Sequence, residues 1–297
     1  MVFIYYHLKK ATYASWLSIS IKLTSYPLYN SMTQFISFGS GSSGNAYYLR
    51  SADRALLLDC GLVYRNLEPL FSKYGLSKNI AAILLTHEHA DHVRGVGRTA
   101  EAMRLPVYAT KKVYEAMFQR KYVTRPVPEA LRRFLEVGKP ICIAPFTITP
   151  IQVPHDSADN VGYFIDCGDG TRLLLLTDVG EFLPDMEAFV PQATHIVIET
   201  NYDPDMLRTG KYPARLKRRI ASGTGHSANP DTAAFLVKTL TPATKHIFLC
   251  HLSADNNRPE LAQAAVAETL RRERPDLAEL PPITPLPRLT PSGVYEL

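Results

Sequence analysis

Cysteine is scarce in this chain. There are four among 297 residues, Cys60, Cys142, Cys167 and Cys250, and no C-x-x-C pair. A disulfide framework is therefore not expected, and a reducing cytoplasm is the setting that fits best. Three of the four sit in or beside apolar runs, as small buried thiols do. Tryptophan occurs once, at Trp16. Long apolar runs are missing too. Residues 1–31 are rich in Tyr, Ser and Ile, but Ser15, Ser18, Ser20 and Lys22 break the stretch that follows Lys9 and Lys10. It is too polar to span a bilayer, and it has no apolar core ending in a small-residue cleavage site. No membrane partner is expected. Residues 1–31 read as a dispensable extension, open to disorder, and residues 32–297 as a single catalytic domain.

What is present is enough for a large core. Apolar residues make up 46% and charged residues 21%, which excludes global disorder. The net charge of +5 leans toward an anionic substrate; a few surplus surface lysines are the plain alternative.

The densest chemistry lies in Thr86-His87-Glu88-His89-Ala90-Asp91-His92. The loop follows the strand-like run Ile80–Leu85 and precedes Val93–Gly97, with a helix expected from about His92 to Arg104. Imidazole and carboxylate suit zinc and similar divalent ions. On extended backbone His87 and His89 project to the same side. Asp91 and His92, at the turn into the helix, are placed to face a second ion. A lone histidine would be read as a solvated turn, but H-x-H-x-D-H after a buried strand points to a two-metal site.

Other apolar runs also end in polar residues. Ala55–Leu58 ends in Asp59, a carboxylate that needs a partner and is expected to support the metal loop from behind. His155 follows Phe146–Pro154, Asp178 follows Leu173–Thr177, Glu199 closes His195–Ile198, and His251 follows His246–Cys250. Strands that deliver His, Asp or Glu to one edge follow the α/β rule that sites lie at strand ends. Phe35–Phe38 and Ala46–Arg50 form a hairpin over Gly39–Asn45; that loop lining the site is the alternative reading. Helices are expected at Asn66–Tyr74, at about 204–221, and from a cap at Asp231 to Leu240, with a last strand at Val294–Tyr295. Two basic stretches stand out. Lys111, Lys112, Arg120, Lys121, Arg125, Arg132 and Arg133 form one; Arg208, Lys211, Arg215, Lys217, Arg218 and Arg219 form the other. Each is either a solvated face or a phosphate-contacting rim.

Taken together, these residues resemble the metallo-β-lactamase-fold hydrolase superfamily over about residues 33–255. The strings Gly41-Ser42-Ser43-Gly44-Asn45, Leu58-Asp59-Cys60-Gly61, Gly225-His226-Ser227-Ala228-Asn229 and His251-Leu252-Ser253-Ala254-Asp255 look like its YycJ/WalJ-like nuclease branch. The resemblance implies an α/β fold, an αββα four-layer sandwich, with two divalent metal ions (zinc, with manganese or iron as alternatives). It implies that His87, His89 and His155 bind the first ion, that Asp91, His92 and His251 bind the second, and that Asp178 bridges them. It also implies that His226 protonates the leaving oxygen and that Glu199 orients it; with Asp91 these are the catalytic candidates. The match departs at Ala228, where the ribonuclease Z loop has Thr. The intervals His155–Asp178 and Asp178–His251 leave no room for the tRNA-grasping arm of ribonuclease Z or the extra domain of the β-CASP nucleases. The implied activity is a 5′→3′ DNA exonuclease, DNA being a more fitting partner than RNA. The rivals are hydrolysis of a small cyclic phosphodiester or ester with the same metals, and a non-catalytic binding protein that keeps the fold.

Overall fold

The runs of four apolar residues in Ala55–Leu58 and Leu173–Leu176 are too uniform for a sheet with one wet face; they belong to strands covered on both sides. The computed structural model, which describes residues 32–297 apart from 121, 122 and 124, arranges them so. The extension 1–31 and Lys121 lie outside the described residues. One sheet contains β1 (Gln34–Gly39), β2 (Ala46–Ser51), β3 (Arg54–Leu58), β4 (Ile80–Leu84), β5 (Val107–Thr110) and β6 (Arg132–Leu135). The other contains β7 (Ile141–Ile143), β8 (Phe146–Gln152), β9 (Val161–Asp166), β10 (Arg172–Leu176), β11 (His195–Glu199), β12 (His246–Cys250) and β13 (Ile283–Pro285). Finally β14 (Tyr295–Glu296) returns to pair with β1, giving the orders β14-β1-β2-β3-β4-β5-β6 and β13-β12-β11-β10-β9-β8-β7.

Alternation along each strand divides the core into layers. Tyr47, Leu56, Leu58 and Leu84 meet Tyr163, Leu173, Leu175 and Phe248 between the sheets. Their neighbours Tyr48, Leu57 and Ile83 face the opposite way, against α1 (Tyr64–Tyr74), α3 (Val96–Met103) and α4 (Lys111–Arg120). Leu174, Leu176, Ile196 and Leu249 pack on the outside of the second sheet, against α8 (Asn229–Thr239) and α9 (Pro259–Glu273). The result is the expected αββα sandwich. Each fully buried leucine contributes about 1.5–3 kcal/mol of transfer free energy, so both sheets are held from two sides.

The parallel strands put their C-terminal ends on one edge. Strands β3 to β6 run parallel, as do β10 to β13. Asp59, Asp178 and His251 follow β3, β10 and β12, and all three have left-handed backbone, with φ of 59°, 55° and 53°. Non-glycine residues held there are strained and cluster at functional sites.

Several local expectations need correction. The helix expected from His92 to Arg104 is two: α2 (Ala90–Val93) and α3. They break at Gly95, where a Cβ would lie 1.9 Å from the Leu62 carbonyl oxygen. The helix expected over 204–221 is also two, α6 (Pro204–Thr209) and α7 (Ala214–Ile220), separated where Pro213 has no amide to donate. The short α5 (Pro184–Glu187) precedes them. Asp231 is not the cap of α8. Ala228 holds that position, and Asp231, in the first turn, accepts its amide at 3.4 Å. The last strand is shifted by one residue, and α1 begins two residues earlier than expected. Helix α9 and strand β13 have no counterpart in the sequence reading.

Candidate metal centre

The loop Thr86–His92 leaves β4 and is laced to the end of β3. Cys60 N donates to the His92 carbonyl (2.8 Å), Asn45 N to the Asp91 carbonyl (2.7 Å) and Gly61 N to the Asn45 carbonyl (2.9 Å). Gly61 is required here, since a Cβ would sit 1.6 Å from the Asp91 oxygen. Asp59 accepts from Thr86 N (2.8 Å) and from His92 Nδ1 (2.7 Å), and Thr86 Oγ1 bonds both its oxygens. This bond fixes the His92 tautomer and turns Nε2 toward the site.

Among the described residues four overlapping groups of donors form there, two of them (His87, His92 and Asp178; Asp178, Glu199, His226 and His251) joining the other two. In the first of those other two, ligand atoms of His87, His89 and His155 all lie within 4.8 Å of one another; in the second, those of Asp91, His92 and His251 do. Asp178 stands between them. Its Oδ2 is 3.1 Å from His92 Nε2, and its Oδ1 is 3.7 Å from both His155 Nε2 and His251 Nδ1. His155 is oriented by its Nδ1 bond to the Gly225 carbonyl (2.8 Å), and His251 by Glu199 at Nδ1 (2.9 Å).

The donors fit divalent ions. His87 Nε2 is buried and has no hydrogen-bond partner, an orphan that a cation would satisfy. His89 Nδ1 and His155 Nε2 are 3.3 Å apart, a hydrogen-bond distance that two ligands of one ion would also show. Two nitrogens at about 2.0–2.1 Å from one tetrahedral ion are about 3.3–3.4 Å apart. His251 Nε2 and Asp91 Oδ2, at 3.4 Å, have a similar spacing.

Charge distinguishes the clusters. Burial, and then neighbouring imidazoles, hold His87 well below the usual histidine value, and His89 and His155 are lowered mainly by burial as well. Burial would also lower His92 and His251, but Asp178 with Asp59 and Asp91 outweighs it for His92, which is raised well above that value. Asp178, Asp91 and Glu199 do the same for His251, which is raised to about 10. Asp178 itself is held far below the usual carboxylate range: burial opposes this, but His251 and His92 prevail.

His226 lies beside the clusters, its ring 5.1 Å from that of His155 and 5.2 Å from that of His251. Its Nδ1 donates to Glu199 Oε1 at 2.8 Å, which leaves Nε2 for another partner. The loop turns tightly under the end of α7: His226 N donates to the Ile220 carbonyl, and a Cβ on Gly225 would meet that oxygen at 2.2 Å. Glu199 also accepts from Val179 N (2.7 Å) and Ser227 N (3.2 Å). Burial favours its neutral form, but His226 and His251 pull it down to about 2. Every site residue singled out in the sequence lies in or against these clusters.

Two residues there were not singled out. Asn45 Nδ2 lies 2.9 Å from His92 Nε2 and 3.4 Å from Asp91 Oδ2, so the Gly39–Asn45 loop is both the hairpin turn and part of the site wall. Asn201 Nδ2 bonds the His251 carbonyl (2.8 Å) and lies 3.2 Å from His251 Nδ1. An asparagine after a strand is the only signal for Asn201, and it is too common to be diagnostic. The basic stretches are largely engaged locally: Arg125 with Glu101 (2.7 Å), Arg208 with Asp205 (3.0 Å), Lys211 with Asp255 (2.9 Å), and Arg219 with Asp156 (3.1 Å).

The model of the β-lactamase superfamily domain matches residues 54–252. The chain is 37% identical over 240 residues to exodeoxyribonuclease YycJ of Bacillus anthracis, covering 80% of this chain and 89% of that protein. It is 37% identical over 232 residues to exodeoxyribonuclease WalJ of Streptococcus pneumoniae, covering 78% and 86%. Among solved structures, the metallo-β-lactamase-fold protein YhfI of Bacillus subtilis superposes with a TM-score of 0.63 at 18% identity, covering 90% of this chain and all of that one. At that identity the superposition speaks for the fold alone. The sequence matches go further, and the chain belongs to the β-lactamase superfamily, in the branch of YycJ and WalJ, as a metal-dependent hydrolase.

Proposed function

We propose that this hydrolase is a two-metal phosphodiesterase that degrades DNA from an end. The observation that carries the reading is the pair of donor clusters about Asp178, with His226 beside both. In this reading His87, His89 and His155 hold one ion, Asp91, His92 and His251 the other, and Asp178 bridges them. The nitrogen-rich set favours zinc. When bound, two such ions supply Lewis acidity that lowers the pKa of water and offsets the charge of a phosphodiester.

The remaining work belongs to side chains. Asp59 keeps His92 in one tautomer. Glu199 holds the proton of His226 on Nδ1 and raises the imidazole against its burial, so that a charged ring stands ready to donate from Nε2 to the departing oxygen. Glu199 is shared with His251, which ties the proton donor to the second cluster. The net charge of +5 suits a polyanion, and both curated relatives above are named exodeoxyribonucleases. The 5′→3′ direction rests on the family resemblance. Four free thiols accord with action in a reducing cytoplasm.

The test is incubation of zinc-loaded protein with end-labelled single- and double-stranded DNA and RNA, His89→Ala serving as control. DNA should shorten from its 5′ end, and a chelator or the substitution should stop it. Degradation that survives the chelator, or activity confined to a small phosphodiester and insensitive to salt, would overturn the reading.

A further inference from the structure

A second concave feature adjoins the metal centre. The segments Leu252–Pro259 and Pro285–Arg288 line a cleft of about 380 Å³, within the range of about 300–1,000 Å³ usual for ligand sites. It begins one residue after His251. Two arginines, Arg258 and Arg288, line it, and among the described residues neither guanidinium has an ion pair or hydrogen bond. Within the basic stretches, by comparison, Arg125, Arg208, Lys211 and Arg219 are each spent on a neighbouring carboxylate, and Arg132, Arg133 and Lys217 on backbone carbonyls. The nearby acid, Asp255, lies within the field of Arg288 but makes no ion pair with it; its carboxylate is bonded by Lys211 Nζ and Tyr212 Oη, each at 2.9 Å.

Both lining segments are tied to the metal centre. Ser40 N donates to the Arg288 carbonyl (3.3 Å), and Ser40 Oγ accepts from His251 N (2.9 Å). The stem of Arg288 passes 3.5 Å from where a Cβ on Gly41 would sit, against the loop that carries Asn45. On the other segment, Arg258 N donates to Asn257 Oδ1 (2.9 Å). The Asn257 amide in turn bonds the carbonyls of Thr200 (2.9 Å) and Asn201 (3.1 Å), and Asn201 bonds His251. The backbone of each arginine is thus tied through polar groups to the same histidine, which fixes where each side chain starts and leaves its guanidinium free to meet a ligand.

Resting on the nuclease reading above, we propose that this cleft binds a phosphate of the substrate strand, with Arg258 and Arg288 as its ligands. Guanidinium is the side chain best matched to the paired oxygens of a phosphate. The site spaces a backbone phosphate from the bond to be cut. That phosphate is either the strand's terminal one or an internal one, and the chemistry of recognition is the same for both.

The experiment compares wild type with Arg258→Ala, Arg288→Ala and the double variant, all zinc-loaded, on three substrates. These are an oligonucleotide with a 5′-phosphate, the same strand with a 5′-hydroxyl, and bis(p-nitrophenyl) phosphate, whose single phosphate cannot occupy the cleft and the metal centre at once. Each substitution should raise KM for DNA about 10-fold or more relative to its effect on the small diester. Each should also reduce the salt slope of DNA binding by about one. A wild-type preference for the 5′-phosphate that the variants lose identifies a terminal phosphate; equal losses on both strands identify an internal one. Wild-type cleavage of DNA with variants that match it on all three substrates overturns the cleft and leaves the nuclease reading intact. Wild-type cleavage of the small diester without cleavage of DNA overturns both.

Discussion

His87, His89 and His155 are held below the ordinary histidine range, whereas His92 and His251, a few ångströms away, are held above it. Burial opposes protonation in both groups. The difference is the carboxylates: Asp59, Asp91 and Glu199 bond only to the second group, and Asp178 Oδ2 approaches His92 more closely than any histidine of the first. The first cluster therefore offers neutral nitrogen lone pairs with little to give up. The second favours protonated imidazoles, so an ion entering it would compete with protons. On the proposed reading, in which Asp178 serves both clusters, the two would load ions by different chemistry.

The largest expected effect comes from removing what the clusters share. Asp178→Ala should abolish binding at both and lower phosphodiester turnover by about a thousandfold or more, roughly 4 kcal/mol at 1.36 kcal/mol per tenfold. Metal content measured by atomic absorption should fall in parallel; full retention would show that the clusters do not depend on a bridge. His226→Ala comes next. Turnover should fall about 10²–10⁴-fold with metal content unchanged, and the basic limb of the pH–rate profile should flatten. Unchanged turnover would remove His226 from the mechanism.

Asp59→Asn sharpens the comparison, because Asp59 bonds His92 directly and reaches His87 only through Thr86 Oγ1. It should weaken the ion held by His92 about 10–100-fold, leaving the His87–His89–His155 ion in place. A titration that then saturates near half the wild-type stoichiometry supports this; equal weakening of both ions would contradict it. The smallest effect concerns pH. In metal-stripped protein, a raised His251 stabilises the fold fully below its unfolded value of about 6.5, and this contribution is lost as pH rises through about 10. Calorimetry should find the stripped protein losing Tm over that window. The increment gained on adding zinc should grow with pH over the same range, since fewer protons compete. An increment that is independent of pH would mean that the second cluster stores no protons.

Much of the site was legible because its residues occupy strand ends. His87 to His92 lie within six consecutive positions that run from just past the end of β4 into α2, and Asp59, Asp178, Glu199 and His251 each close an apolar run, so period and punctuation alone point to a common edge. Helix breaks were less legible. Gly95 interrupts a helical pattern because the Leu62 carbonyl passes where a side chain would be, and no local signal announces a carbonyl from thirty-odd residues away. Helix α9, by contrast, begins at Pro259 just ahead of Glu260, the kind of start signal that sequence does carry.

The sequence by itself determined the α/β class and the order along the chain of imidazoles and carboxylates at strand ends; the four-layer arrangement was implied by the family resemblance. Apolar periodicity and the chemistry of imidazole and carboxylate are properties of the residues themselves. Only the tertiary structure decided how those groups are shared. It placed Glu199 between His226 and His251, set Asn45 and Asn201 against His92 and His251, paired Arg125, Lys211 and Arg219 with nearby acids, and put Arg258 and Arg288 on the wall of one cleft. Each of these depends on contacts between segments far apart in the chain, where burial and field, not residue type, set what a side chain does.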